Sequence, residues 1–173
     1  MSLKIAITGH TKGIGKAIAD ALHGHTVIGF SRSNGYNISS DVKRIAQESR
    51  ECDVFINNAY YDFAQCDLLD EMFSLWKNNS KTIININSRS IYGYDNSHIY
   101  SGSKKELRDL SIKKIFSPRQ CRIININPGY VDTEPVKNIP ARKLTTEQVA
   151  NTVLWCLNQP HDIEIGELSI WRR

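Results

Sequence analysis

Short apolar runs alternate with three- and four-residue apolar periodicities from one end of the chain to the other. Leu3–Thr8 is a β-rich run that ends at a glycine. Ile14, Ala17, Ile18, Ala21 and Leu22 then share one face of a helix predicted over Gly13–Leu22. Further strands are predicted at Thr26–Phe30, Val54–Asn57, Thr82–Asn87, Arg122–Asn127 and Gly166–Trp171, with a short one at Tyr36–Ile38. Ser40 or Asp41 caps a helix running to Arg50. Another spans Asp67–Lys77, with Leu68, Leu69, Met72, Phe73 and Trp76 at helical steps; its apolar face suits core packing better than an interface. Ile99–Phe116 is a helix stopped by Pro118, and Thr146–Leu157 a last one capped by Thr145 or Thr146.

Strand and helix in alternation mean parallel strands joined by right-handed crossovers, an α/β doubly wound sheet with helices on both faces. The strands read as continuous apolar runs, as strands buried on both sides do. The pentapeptide IININ occurs at Ile83–Asn87 and again at Ile123–Asn127, with unlike flanks. Two similar buried strands explain it better than a repeat, and Asn85 and Asn125 inside them need hydrogen-bond partners.

The length of 173 residues and the absence of any linker-like stretch suit one domain over 1–173. Apolar residues make up 40% and charged residues 23%, which is globular composition. The net charge of +4 is spread along the chain. Its densest patch, Lys104, Lys105, Arg108, Lys113, Lys114 and Arg119, is diluted by Glu106 and Asp109, so a solvated helix face is expected and not a nucleic-acid surface. Cys52, Cys66, Cys121 and Cys156 form no C-x-x-C pair and have no histidine at zinc spacing. Reduced thiols in a cytoplasmic protein, with no metal, are the expectation. The first residues lack the apolar stretch of a signal peptide, and no run is long enough to span a membrane.

The first strand runs into Gly9-His10-Thr11-Lys12-Gly13-Ile14-Gly15, and a helix follows. A helix N-terminus presents unpaired N–H groups and a positive dipole end, which suit a pyrophosphate, and the glycines allow close backbone approach. The spacing, T-G-x-x-x-G-x-G, resembles the short-chain dehydrogenase/reductase family and differs from its extended sugar-epimerase branch. The resemblance implies a Rossmann fold of about seven strands in the order 3-2-1-4-5-6-7. At the end of the second strand, Ser31-Arg32 offers no acid for ribose hydroxyls. Arg32, joined by Lys12 of the glycine turn, suits the 2′-phosphate of NADP(H), with NAD(H) less favoured. Asn37-Ile38 falls where the family flanks the adenine. Asn57-Asn58-Ala59-Tyr60 resembles the family's N-N-A-G, with Tyr60 in place of the glycine and Asn58 and Ala59 lining the cofactor.

Tyr100 and Lys104 share one helix face, and Ser88 ends the preceding strand. This Ser–Tyr–Lys set is what the resemblance makes catalytic. Reduction of a carbonyl leaves charge on oxygen that needs a proton; Tyr100 would supply it, and a nearby Lys104 ammonium would favour the tyrosinate. Lys104 would also hold the nicotinamide ribose, and Ser88 the carbonyl oxygen. Pro128-Gly129-Tyr130-Val131-Asp132-Thr133 resembles the family's P-G-x-V-x-T, in which Pro128, Gly129, Val131 and Thr133 would contact the carboxamide.

The chain also departs from the family. Asn58–Ser88 is short, and the helix Asp67–Lys77 lacks the asparagine that helps relay protons in relatives. The lid near 134–144 is minimal. An NADP(H)-dependent oxidoreductase acting on a small-molecule carbonyl or alcohol is the leading reading. A non-catalytic NADP(H)-binding sensor or scaffold is the alternative, with a sugar epimerase or dehydratase third. The resemblance allows a homodimer or homotetramer. Substrate choice would rest with Arg89–Ser97 and Tyr130–Leu144, which hold no readable motif.

Overall fold

The computed structural model describes residues 2–93 and 98–173. Six parallel strands lie in the order β2-β1-β3-β4-β5-β6. They are β1 (Lys4–Thr8), β2 (Thr26–Phe30), β3 (Val54–Asn57), β4 (Thr82–Ile86), β5 (Arg122–Pro128) and β6 (Glu167–Ile170). The helices are α1 (Gly13–Ala21), α2 (Val42–Glu48), α3 (Ala64–Trp76), α4 (Ile99–Ile115) and α5 (Thr146–Leu157). This is the expected doubly wound order with one strand fewer. Tyr36–Ile38 is not a strand: Asn37 forms a turn, its side-chain oxygen accepting from the Ser39 amide and hydroxyl and its N–H donating to Asp41. Ile38 still reaches the core from that turn.

Strand side chains alternate between two apolar layers. Ile5, Ile7, Ile56, Ile84, Ile86, Ile124 and Ile126 pack under α1 and α5. Ala6, Phe55, Ile83 and Ile123 face the other layer, with Leu68, Leu69, Met72 and Trp76 of α3 and Leu107 of α4. Phe73 packs partly buried against the same layer, so the apolar face of α3 serves the core. Burial on both faces is why the strands read as unbroken apolar runs. It also explains IININ: Ile84 and Ile86 face one layer while Asn85 and Asn87 face the other, and the repeat in β5 stands in register beside β4.

α3 begins at Ala64, ahead of the predicted Asp67, and this brings Gln65 and Cys66 inside the helix. Asp62, at φ 40°, turns the chain into it. Asp is one of the few residues that tolerates that left-handed conformation. The α5 cap is as expected, a reciprocal pair between Thr145 and Gln148. Among the described residues no helix is long and apolar enough to cross a membrane.

Candidate active site

The glycine turn and the β2 exit leave the sheet side by side. Thr8 pairs with Phe30, and the Gly9 N–H donates to the Phe30 carbonyl at 2.7 Å. Gly9 takes φ 71°. A Cβ on Gly15 would overlap the Gly9 carbonyl and the Asn58 amide, so the tight turn requires glycine there. Asn58 braces the turn: its side-chain N–H₂ donates to the Thr8 carbonyl at 2.9 Å, and the Asn58 and Ala59 amides donate to Thr8 Oγ1. Lys12 supplies the N-cap of α1 without a side-chain bond, and no acid stands in the first turn. The opening amides of α1 therefore suit an anion.

Thr11, Lys12 and Arg32 are exposed at this edge. Ser31 is buried, and its hydroxyl is engaged with Ser33 and Asn34. Ile38 is likewise buried, and the Asn37 oxygen already serves Ser39.

On the β4 side, Ser88, Tyr100 and Lys104 line one cavity of about 840 Å³. Ile14, Asn58, Pro128, Gly129, Val131 and Thr133 line it too. Thr133 also approaches the glycine turn, since a Cβ on Gly13 would lie 3.4 Å from its methyl group. Pro135, Val136 and Ile139 add the short lid segment. Of the predicted substrate-choosing stretch Arg89–Ser97, positions 94–97 lie outside the described residues.

Lys104 is only 3% exposed. Its Nζ donates to Gln65 Oε1 at 2.6 Å and to the Ile86 carbonyl at 3.0 Å. Burial pulls its pKa down to about 7, with Cys66 acting weakly the other way. The Lys104 Nζ also lies 5.6 Å from the ring centres of both Tyr60 and Tyr100. Those rings meet edge-to-face at 4.8 Å. Burial pushes the Tyr100 phenol above its ordinary value; a hydrogen bond with Ser88 pulls it back down, and Tyr60 adds to the rise. The Ser88 hydrogen bond is thus a contact that favours the tyrosinate. Tyr100 itself remains 39% exposed, open to a reactant in the cavity.

Gln65 was not legible as a functional residue in the sequence. It joins the site to a buried ladder of amides across the sheet. Gln65 Nε2 donates to the Asn57 carbonyl, and Asn57 Nδ2 returns a bond to the Gln65 carbonyl. Asn57 then donates to Asn85 Oδ1, and Asn85 to Asn125 Oδ1 and Ser111. The in-register positions Asn57, Asn85 and Asn125 make this possible. Asn87 donates to the Lys104 carbonyl, while its buried Oδ1, on a residue lining the cavity, has no partner among the described residues. Open helix amides, a glycine cradle and an unused buried acceptor are the groups a dinucleotide would use, so the residues present fit a nicotinamide cofactor.

No family model matches the chain. An uncharacterized oxidoreductase of Staphylococcus aureus is 26% identical over 96% of this chain and 96% of its own length. A short chain dehydrogenase of Burkholderia cenocepacia, solved with NADP, superposes with a TM-score of 0.83 at 21% identity, covering 98% of this chain and 89% of that one. An alcohol dehydrogenase of Thermococcus sibiricus, solved with 5-hydroxy-NADP, gives 0.81 at 19% identity, with 98% and 96% covered. The chain thus has the fold of the short-chain dehydrogenases/reductases, at an unusually short length.

Proposed function

We propose that the protein is an NADP(H)-dependent oxidoreductase that interconverts a carbonyl compound and its alcohol. The observation that carries this reading is the convergence of Ser88, Tyr100 and Lys104 on a cavity that also takes in Ile14, Asn58 and Thr133. Bound there, the nicotinamide would supply or accept the hydride. Ser88 would hold the carbonyl oxygen beside Tyr100, and Tyr100 would deliver its phenolic proton to that oxygen. Lys104 would hold positive charge under the two tyrosine rings and release a proton near neutrality, in keeping with its lowered pKa. Pro128, Gly129, Val131 and Thr133 would seat the carboxamide. At the other end, the amides of Gly13, Ile14 and Gly15 would take the pyrophosphate, and Lys12 and Arg32 the 2′-phosphate. The NADP and 5-hydroxy-NADP held by the two solved proteins support a nicotinamide dinucleotide as cofactor, and the preference for NADP(H) rests on Lys12 and Arg32. The four free, buried cysteines fit a reducing cytoplasm.

The test is NADPH oxidation across a panel of aldehydes, ketones and sugars. Turnover lost in Tyr100→Phe supports the reading. A second reading, an NADP(H)-binding sensor without turnover, draws on one observation: Lys104 is turned inward to Gln65 and covered by Tyr60. Tight NADPH binding with no turnover on any member of the panel would favour it.

A further inference from the structure

Arg89 directly follows Ser88 and opens a 3₁₀ turn, Arg89–Tyr92, that is pinned on three sides. Ser88 Oγ accepts from the Ser90 amide at 3.1 Å, and the Gly93 amide donates to the Ser90 carbonyl. Ile91 is buried. The Tyr92 hydroxyl donates to Glu167 at 2.6 Å and meets Ser169 at 3.0 Å. From this turn the Arg89 guanidinium lies over the Trp171 ring, 4.7 Å from its centre. Trp171 is itself backed against the cavity wall: a Cβ on Gly129 would come within 2.8 Å of the Trp171 Cβ, so only glycine fits behind it. The Gly129 amide donates to the Ile170 carbonyl, locking the wall to β6. Arg89 is therefore an arginine on a fixed aromatic platform, with its planar fork left open to a ligand.

Among the described residues the charge lining the cavity is one-sided. Arg89 and Lys104 line the cavity, and no Asp or Glu does so among the described residues. Glu167, the acid that Tyr92 reaches, is already paired with Arg108 at 2.7 Å. No described carboxylate forms an ion pair with Arg89. Nor is Arg89 placed for the cofactor's phosphates. The glycine turn follows β1 and Arg32 follows the edge strand β2, whereas Trp171, under the Arg89 guanidinium, follows β6 at the other edge. At about 4.8 Å per strand, β6 stands roughly 19 Å from β1 and roughly 24 Å from β2.

We infer that the substrate is a short oxo acid or hydroxy acid, and that Arg89 binds its carboxylate while Ser88 and Tyr100 face its carbonyl or hydroxyl oxygen. The inference rests on the oxidoreductase reading for the second contact only. Arg89 and Ser88 are adjacent in the chain and line the same cavity, so one small molecule can reach both.

The experiment compares 2- and 3-oxo acids with their methyl esters in NADPH-dependent turnover. The wild type is expected to prefer the acid in kcat/KM by about tenfold or more, the scale of a charge-assisted hydrogen bond. Arg89→Gln should bring the acid-to-ester ratio close to one, and Arg89→Lys should restore part of it. Equal use of acid and ester by the wild type, or a ratio untouched in Arg89→Gln, overturns the inference and leaves the oxidoreductase reading standing. Where neither compound turns over, the readout is Trp171 fluorescence, taken as the difference from Trp171→Phe. Saturable quenching by the oxo acid, absent with its ester and absent in Arg89→Gln, supports the carboxylate site although the activity reading has failed. No acid-specific quenching overturns it.

Discussion

The Lys104 ammonium is held by the Gln65 side-chain oxygen at 2.6 Å, and through Gln65 by an amide ladder that crosses three strands of the sheet. A buried cation needs such an acceptor, because leaving it unpaired costs its desolvation in full. Replacing Gln65 with Leu keeps the volume and removes the acceptor. The expected result is a loss of about 1–3 kcal/mol in urea unfolding, larger at pH 6, where Lys104 is charged, than at pH 8.5. Equal losses at both pH values would reduce Gln65 to a packing residue. Gln65→Glu, which keeps an acceptor and adds a negative charge, should raise the Lys104 pKa, while its second oxygen loses the bond that Gln65 Nε2 donates to the Asn57 carbonyl.

Lys104 also sets a direction for stability against pH. Its pKa in the fold is about 7 against an ordinary 10.5, so between those values the unfolded chain binds the extra proton. Stability should therefore rise with pH across that window on account of this group, its burial cost being complete below pH 7. The thiols work the other way at the alkaline end: burial pushes Cys66 to about 12 and Cys156 to about 11, so unfolding there releases protons. The cleanest comparison is wild type against Lys104→Met from pH 6.5 to 8.5. Urea unfolding should show a rise in the wild type that the variant lacks; parallel curves would reject the lowered Lys104 pKa.

The strand order and both helix layers were legible because parallel strands buried on both faces leave unbroken apolar runs, and turns with glycine or capping residues punctuate them. Two errors have local causes. Tyr36–Ile38 has the apolar alternation of a strand, but Asn37 bonds Ser39 and Asp41 and closes a turn instead. The start of α3 carries no cap signal: Phe63 is its N-cap, without a side-chain bond, so Asp67 looked like the opening residue. That misplacement hid Gln65. A polar residue near a helix start reads as solvated, and its partner Lys104 lies 39 positions away. The motif residues Ser88, Tyr100 and Lys104 were legible by spacing, but the inward turn of Lys104 depends on Gln65 and the Ile86 carbonyl, which no motif encodes.

On the proposed reading, cofactor choice turns on Arg32, which is exposed at the first position after Ser31. A guanidinium fork bonds a 2′-phosphate but gains little from a ribose hydroxyl. Titration calorimetry should show NADPH binding more tightly than NADH, with Arg32→Ala narrowing the gap by about tenfold. Equal affinities in the wild type would remove Arg32 from the site.

Tyr100 supplies the sharpest separation of chemistry from binding. Its ring packs edge-to-face on Tyr60, and Tyr100→Phe keeps that contact while removing only the hydroxyl. Loss of a positioned general acid lowers turnover by about 10²–10⁴-fold, whereas the open amides of α1 and the Lys12–Arg32 edge are untouched. The variant should therefore bind NADPH as the wild type does and fail to oxidise it in the presence of a carbonyl substrate. Ser88→Ala should also slow turnover and, by deleting the bond that draws the Tyr100 phenol down, move the alkaline limb of the pH–rate profile upward. Wild-type turnover in Tyr100→Phe would place the proton donor elsewhere in the cavity, and an unmoved alkaline limb in Ser88→Ala would separate Ser88 from Tyr100.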